Sequence, residues 1–457
     1  MTPADPIAPD AGDCFDAVVV GAGATGGVAA MALSEAGLRV LVLEAGPELS
    51  ARQALGSEPL NSLRRVANLA GGRQRLQAEH PGYWKNNPEL FVDERLNPYL
   101  TPDDAPFLWT RGRQVGGRSL TWGGITLRLS DQEFRSGERE GIGPAWPIDS
   151  HDLAPWYARL ERLLGVHGHC DGLPQLPDGE YRPALPFTPA EEHLQRTIAR
   201  ELGLPLIHSR GFALHRPTPE RPWPASSAQG VTLARALATG RVRLRSSCIV
   251  SHLRMAGDAS RAEGVVVVDG RSGARSFVAA PLVVLCASTI ETLLILLHSA
   301  EGRRRGGLID PSGSLGTGLM DHISSSRFFS IPGLPAPLRP MELSGAGSCF
   351  IPNTVNLSGL GGEGGGEPVD FRGGYGLWTA LQRFDPPAVL RRRQGEAVGF
   401  LIGHGEVQRH PANRVTLVDG VLDAWGLPVP RSGPVRMPPS GNSPTQHPRA
   451  PPAPGGQ

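Results

Sequence analysis

Residues 15–46 read FDAVVVGAGATGGVAAMALSEAGLRVLVLEAG. Asp16 to Val20 is a short apolar run suited to a buried parallel strand. Gly21, Gly23 and Gly26 follow at G-x-G-x-x-G spacing. Thr25 to Ala36 then predicts a helix rich in small residues, stopped by Gly37 at the C′ position. Arg39 to Leu43 is a second apolar strand, and it ends on Glu44. Each residue type has a reason to stand where it does. Gly21 permits the tight turn, Gly23 lets a pyrophosphate approach the backbone, and Gly26 lets helix and strand pack closely. The helix N-terminus offers unpaired N–H groups and partial positive charge to phosphates. Glu44, eighteen residues past Gly26, stands where an acid accepts hydrogen bonds from a ribose. The glycine spacing alone is a weak signal. With strand, helix, second strand and terminal acid around it, the reading is a dinucleotide site; the alternative is a glycine-rich turn in some other βαβ unit.

Bulk properties narrow the function classes. A chain of 457 residues is long enough for about two or three domains. Lys plus Arg number 45 and Asp plus Glu 44, so no basic field invites nucleic acid or an anionic membrane. No apolar run approaches the ~18 residues of a bilayer-spanning helix. Residues 1–13, MTPADPIAPDAGD, lack a basic n-region and an apolar h-region, so no signal peptide is read there. Cys14, Cys170, Cys248, Cys286 and Cys349 have no metal spacing and read as reduced, mostly buried thiols. The expected location is the cytoplasm.

Outward from the opening unit, residues 1–13 read as a disordered lead. Ala45 to Ala105 is a long polar excursion containing Pro81-Gly82-Tyr83-Trp84 and Asn97-Pro98, so a plain NAD-type chain of βα units is not expected. Arg111 to Arg128 reads RGRQVGGRSLTWGGITLR. Its pairs Gly116-Gly117 and Gly123-Gly124 permit positive φ and close approach to a ligand, and Ser119 and Thr121 between them can hydrogen-bond it; a glycine-rich hairpin is the alternative. Asp152 to Leu164 predicts a helix capped by Asp152, with Pro155 in its first turn. Leu153, Trp156, Tyr157, Leu160, Leu163 and Leu164 share one face and read as core. Residues 171–226 are Pro-rich, with a helical patch near Glu191 to Leu202, and suggest an insertion covering a site.

Strands resume at Arg241 to Arg245, Cys248 to Leu253, Gly264 to Asp269 and Ser276 to Ala279, with the turn Gly270 to Gly273 making a meander. Pro281 to Cys286 is another buried strand. It leads through Ala287 into a helix opening Ser288-Thr289-Ile290-Glu291, a capping box with Ser288 as N-cap and Glu291 at N3. Beyond Ile323 the chain leans to β, with a glycine-rich loop over Gly359 to Glu367 and a strand over Asn413 to Val418. From Arg431 a Pro-rich stretch without apolar periodicity reads as a disordered tail.

Taken together and in this order, GAGATGG with Glu44, RQVGGRSLTWGG, WPIDSHDLAPWY with Glu161 and Gly165, VVLCASTIETLLILLHS and SLGTGLMDH resemble the GMC (glucose–methanol–choline) oxidoreductases, FAD-dependent alcohol-oxidising enzymes. PANRVTLVDGVLDAWGLP is a sixth, weaker piece. The resemblance runs from Phe15 to about Pro430. It implies an α/β fold, with a Rossmann-like FAD-binding domain (14–170 and 226–322) and a β-rich substrate-binding domain (171–225 and 323–430). It implies that Gly21, Gly23 and Gly26 line the FAD pyrophosphate and that Glu44 holds the adenosine ribose. Gly116, Gly117 and Ser119 would sit beside pyrophosphate and flavin. The backbone of Val250 would meet the adenine, and Ala287 would lie at the second turn over the nucleotide. Some relatives bond flavin to a histidine where this chain has Thr121, which implies non-covalent FAD.

The implied activity is oxidation of the CH–OH group of a small alcohol, sugar or polyol by hydride transfer to flavin N5, with the electron acceptor unassigned. In the family, a block beyond the NRVTL strand carries a catalytic histidine as base. The resemblance stops near Pro430, and His322, His404, His410 and His447 match no base motif, so the catalytic residue is unassigned. The alternative is therefore an FAD-binding relative of weak or no activity. An NAD-dependent dehydrogenase leaves the glycine pairs and capping-box turn without a role; a non-redox lyase on the same fold is a further option.

Overall fold

The protein is described from a computed structural model, which covers residues 14–79, 84, 86–103, 106–139, 141, 143–300, 307–335, 341, 343–353, 375–384, 396–405, 407 and 409–433. The predicted lead, the Pro81-Gly82-Tyr83 segment and the glycine-rich loop Gly359 to Glu367 lie outside the described residues. The chain forms two compact units. The first comprises residues 1–123, 215–319 and 410–436, and the second 124–214, 320–409 and 437–457.

The first unit is built on a four-stranded parallel sheet. β1 (Ala17–Val20) and β2 (Val40–Leu43) are buried at every position, as expected of strands covered on both faces. β10 (Leu282–Leu285) pairs with β1 on one side, and β6 (Val242–Arg245) pairs with β2 on the other. The strand predicted at Arg241 to Arg245 thus extends the parallel sheet and stands apart from the meander. That meander is β7 (Cys248–Met255), β8 (Ala262–Asp269) and β9 (Arg275–Ala279). Its buried face, Cys248, Val250, Val265, Val267 and Val278, shares one core with Val18, Val20, Leu41 and Leu43.

Helix α1 (Ala24–Glu35) connects β1 to β2 and ends at Ala36, with Gly37 at φ 95°. α2 (Glu58–Ala70) lies in the long excursion after β2. α5 (Thr232–Ala238) packs against α1 where Gly27 faces the Thr232 side chain. α6 (Thr289–Ser299) follows β10. β15 (Val415–Leu422) and β16 (Pro428–Ser432) form an antiparallel pair. Val415 and Leu417 pack on Ile290 and Leu294 of α6. That apolar contact draws residues 410–430 into the first unit, whereas the sequence assigns them to the substrate-binding part. Arg431 and Ser432, assigned from sequence to the tail, lie in β16.

The second unit holds an antiparallel sheet in the order β11 (Ile323–Pro335), β14 (Glu396–Gly405), β13 (Tyr375–Leu381), β12 (Cys349–Ile351) and β5 (Ile207–His208). α4 (Pro189–Leu202) covers it through Ala190 and Leu194. The short parallel pair β3 (His167–Gly168) and β4 (Arg182–Pro183) lies in the same unit.

Residues 124–170, expected in the FAD-binding part, also belong here. The buried pair of Arg128 and Glu161 ties the segment together, with Nε to Oε1 2.8 Å and Nη2 to Oε2 2.6 Å. Glu161 also accepts the Glu180 N–H at 2.8 Å.

Two local expectations change. α3 runs Ser150–Leu164, and its N-cap is Asp149, with Asp152 as the N3 member of the capping box. Pro155 is therefore the sixth helical residue, where the missing N–H forfeits a hydrogen bond to the preceding turn. Trp156 is 61% exposed. The side chain that α3 buries is Glu161, because its inward face meets a guanidinium and a backbone N–H. All five cysteines are free thiols; Cys248 and Cys349 are buried, and Cys14 and Cys170 are exposed.

Candidate cofactor site

The β1–α1 turn distributes its three glycines between different tasks. Gly21 adopts φ 99°, and a Cβ there would stand 3.1 Å from the Ala287 Cα and closer still to the Cys286 carbonyl. Gly26 faces the Gly21 carbonyl with no room for a side chain. Gly23 differs: the nearest atom to a Cβ there is the Gly117 Cα at 4.0 Å. Gly21 and Gly26 are bare so that backbone can meet backbone, whereas Gly23 is bare beside open space. Gly23 is also the N-cap of α1 and contributes no side-chain cap. The first-turn N–H groups have no partner within the helix, so the positive end of its dipole is offered to an anion.

The second glycine-rich stretch is brought against this turn. Gly46, just past β2, lies against the backbone of Arg113 and Gln114, and the Val115 N–H donates to the Pro47 carbonyl at 3.0 Å. The Gly116 N–H donates to the Ala22 carbonyl at 3.0 Å. Gly116 and Gly117 both take positive φ, 92° and 50°. A Cβ on Gly117 would stand 3.2 Å from the Gly23 Cα. The structure thus brings Gly21, Gly23, Gly26, Gly116, Gly117 and Ala287 into one cradle. Ser119 is held beside it: its hydroxyl donates to the Gly116 carbonyl at 2.6 Å and accepts the Ala228 N–H at 3.0 Å. Val250 sits in β7 with its side chain in the core under β1 and β2.

Glu44 is buried at the end of β2. Its carboxylate accepts the Ala22 N–H and the Gly46 N–H, each at 2.9 Å. Burial pushes the carboxyl pKa upward, and it outweighs the lowering by those two N–H groups and by Arg113. The Arg113 guanidinium lies over the Trp425 ring at 4.4 Å, and the Trp425 indole donates to the Gly270 carbonyl at 3.1 Å. Neither residue is marked by the glycine pattern. Thr121 is buried, and its hydroxyl oxygen has no hydrogen-bond partner.

The second strand-to-helix turn departs from its expected cap. Ser288 has φ 68° and ψ 170° and makes no side-chain cap bond, so the predicted capping box is not formed. Glu291 instead pairs outward with the buried Arg111, Nη1 to Oε1 3.3 Å. Arg111 also lies over the Trp109 ring at 4.1 Å and donates to the Asn97 carbonyl.

In the second unit, the His404 Nδ1 is 2.9 Å from the Ser324 hydroxyl, and the His322 and His404 rings are 6.2 Å apart. Burial, and secondarily His322, hold the His404 pKa below its ordinary value. In the first unit, the His410 Nδ1 accepts the Ala412 N–H at 3.1 Å. His447 lies outside the described residues.

Comparison with known proteins gives the family. Residues 15–324 match the family model described as GMC oxidoreductase. This chain belongs to the GMC oxidoreductase family. GMC oxidoreductases are flavoproteins that use FAD. Paromamine 6'-oxidase of Streptomyces fradiae is 31% identical over 335 residues, covering 68% of this chain and 54% of that protein. The 2-methyl-1,2-propanediol dehydrogenase of Mycolicibacterium austroafricanum is 28% identical over 344 residues, covering 68% and 55%. The chain thus spans about half the length of these curated relatives. Among solved structures, pyridoxine 4-oxidase from Mesorbium loti has the same fold, with a TM-score of 0.54 at 18% identity, covering 92% of this GMC chain and 76% of that one. No helix among the described residues is long and apolar enough to cross a membrane.

Proposed function

We propose that this GMC chain binds FAD non-covalently and oxidises the CH–OH group of a small alcohol, sugar or polyol by hydride transfer to flavin N5. The observation that carries the cofactor reading is the meeting of three backbone turns, Gly21 to Gly26, Gly116-Gly117 and Cys286-Ala287, around a gap beside Gly23. The residues fit the group: a helix N-terminus for phosphates, bare glycine backbone for close approach, and a buried acid that retains acceptor capacity for ribose hydroxyls. When bound, FAD supplies the hydride acceptor. Gly21, Gly23 and Gly26 would line the pyrophosphate, Glu44 would hold the adenosine ribose, and Ala287 and the Val250 backbone would border the nucleotide. Gly116, Gly117 and Ser119 would border pyrophosphate and flavin. The substrate class follows the curated relatives, whose names specify paromamine and 2-methyl-1,2-propanediol.

Thr121 supports the non-covalent reading, because a hydroxyl lacks the nucleophilic ring nitrogen that links flavin in some relatives. Acid precipitation of the loaded protein should leave yellow supernatant over a colourless pellet. A yellow pellet would overturn that part. Gly23→Val should fold and lose flavin absorbance, because the side chain would fill the gap; retained flavin would overturn the cofactor assignment. Anaerobic mixing with primary alcohols, polyols and aminosugars should bleach the bound flavin if the substrate reading holds.

A further inference from the structure

Gly116 and Gly117 form a peptide with no Cβ on either side and positive φ at both residues. Such a peptide resists rotation weakly, so its neighbouring carbonyls can turn either way unless held. A carbonyl turned toward a pyrophosphate would set the negative end of its dipole against the anion.

The structure holds every carbonyl of the turn. The Gln229 Nε2 donates to the Val115 carbonyl at 2.7 Å. The Ser119 hydroxyl donates to the Gly116 carbonyl at 2.6 Å. The Gln114 Nε2 donates to the Gly117 carbonyl at 3.0 Å. The two glutamines come from separate segments and are used in the same way. Each spends its amide nitrogen on a carbonyl of the turn, and each leaves its Oε1 buried without a partner. Gln114 is 0% exposed. The Gln229 amide lies directly over the Gly116 Cα, in the space a side chain there would need. A buried amide oxygen without a partner is unfavourable, and an apolar residue of similar length would fill either site without it.

We propose that Gln114 and Gln229 are positioning residues for the cofactor, clasping the Val115 and Gly117 carbonyls away from the FAD pyrophosphate. The proposal rests on the FAD reading above and adds two residues outside the glycine pattern. The phosphate affinity of the turn depends on which way its peptides face. The glutamines set that direction, and the glycines only permit it.

The test uses Gln229→Met and Gln114→Met, which keep the length of the side chain and remove its amide. Dissociation constants for FAD, ADP and adenosine are measured by equilibrium dialysis against the apoprotein, alongside urea unfolding midpoints. Each variant should lose about tenfold in FAD and ADP affinity, with adenosine affinity unchanged, so the ADP-to-adenosine preference falls. A merely structural role would weaken ADP and adenosine in parallel and leave that preference constant, which would overturn the proposal. Unchanged FAD affinity in the variants would overturn it too. Failure of the unmutated chain to bind FAD is a different result and would remove the cofactor reading itself. Should Gln114→Met not fold, the half-buried Gln229→Met carries the test.

Discussion

Gly26→Ala should both destabilise the first unit and weaken FAD binding, and the size of each effect follows from one distance. A Cβ on Gly26 would stand 1.8 Å from the Gly21 carbonyl oxygen, where ordinary contact begins at 3.4 Å. Helix and strand must therefore part by about 1.6 Å. Gly21 cannot retreat, because it already lies against Cys286 and Ala287. Both clashing groups belong to the backbone or are fixed to it, so no side chain can swing aside. Overpacking of this kind costs ~1–3 kcal/mol, and the absence of a flexible neighbour puts this case near ~3 kcal/mol. The same displacement moves the first-turn N–H groups of α1 out of hydrogen-bonding reach of a phosphate. Losing one or two charge-assisted bonds at ~1.5–3 kcal/mol each weakens FAD binding on the order of 10²-fold. Urea unfolding of the apoprotein and flavin titration measure the two effects. Gly23→Ala is the control: its Cβ would meet nothing nearer than the Gly117 Cα at 4.0 Å, so apo stability should hold while FAD affinity falls. A Gly26→Ala chain with native midpoint and native FAD affinity would refute the close-packing argument.

Four further outcomes are expected. Ser288→Gly should raise stability by ~1 kcal/mol, because Ser288 occupies a region near φ 68° and ψ 170° that costs a non-glycine residue ~1–3 kcal/mol, partly offset by glycine's greater unfolded freedom; a lower urea midpoint would contradict it. Glu161→Ala should cost ~3–5 kcal/mol by leaving the buried Arg128 unpaired, read as a fall in midpoint far larger than for an exposed pair such as Arg200–Glu201. Glu44 provides a pH test. Burial raises its folded pKa above the ordinary 4.5, so its stability contribution is complete below that value and is lost as pH rises through the folded pKa. Stability of Glu44→Gln relative to the unmutated chain should therefore improve as pH rises above 4.5, and a pH-independent difference would count against it. Ring-proton NMR should find His404 titrating below 6.5, and His322→Ala should move it part of the way back; a midpoint at or above 6.5 would show that its burial is misread.

The opening βαβ unit was legible from sequence because its determinants are local. Strand burial shows as an unbroken apolar run, the helix shows as small residues ended by Gly37, and the turn needs glycine at fixed offsets. The family and its cofactor were equally legible, since several such pieces occur in a set order. What local pattern could not provide was the partner of a side chain. Ser288 and Glu291 satisfy a capping-box pattern, yet Arg111, 180 residues away, takes Glu291. The stripe on α3 satisfies a core pattern, yet its buried residue is Glu161, because a guanidinium waits on that side.

Gln114 and Gln229 are 115 positions apart and ordinary in composition. Only the fold sets both amides on one glycine turn. The assignment of residues 124–170 and 410–430 to their units was likewise decided by tertiary contacts: the Glu180 N–H donated to Glu161 in one case and the seating of Val415 and Leu417 on α6 in the other. Sequence by itself determined the backbone that can approach a dinucleotide, because glycine's freedom is a property of the residue. The tertiary structure decided which groups hold that backbone in one orientation, because a hydrogen bond depends on where its partner lies in space.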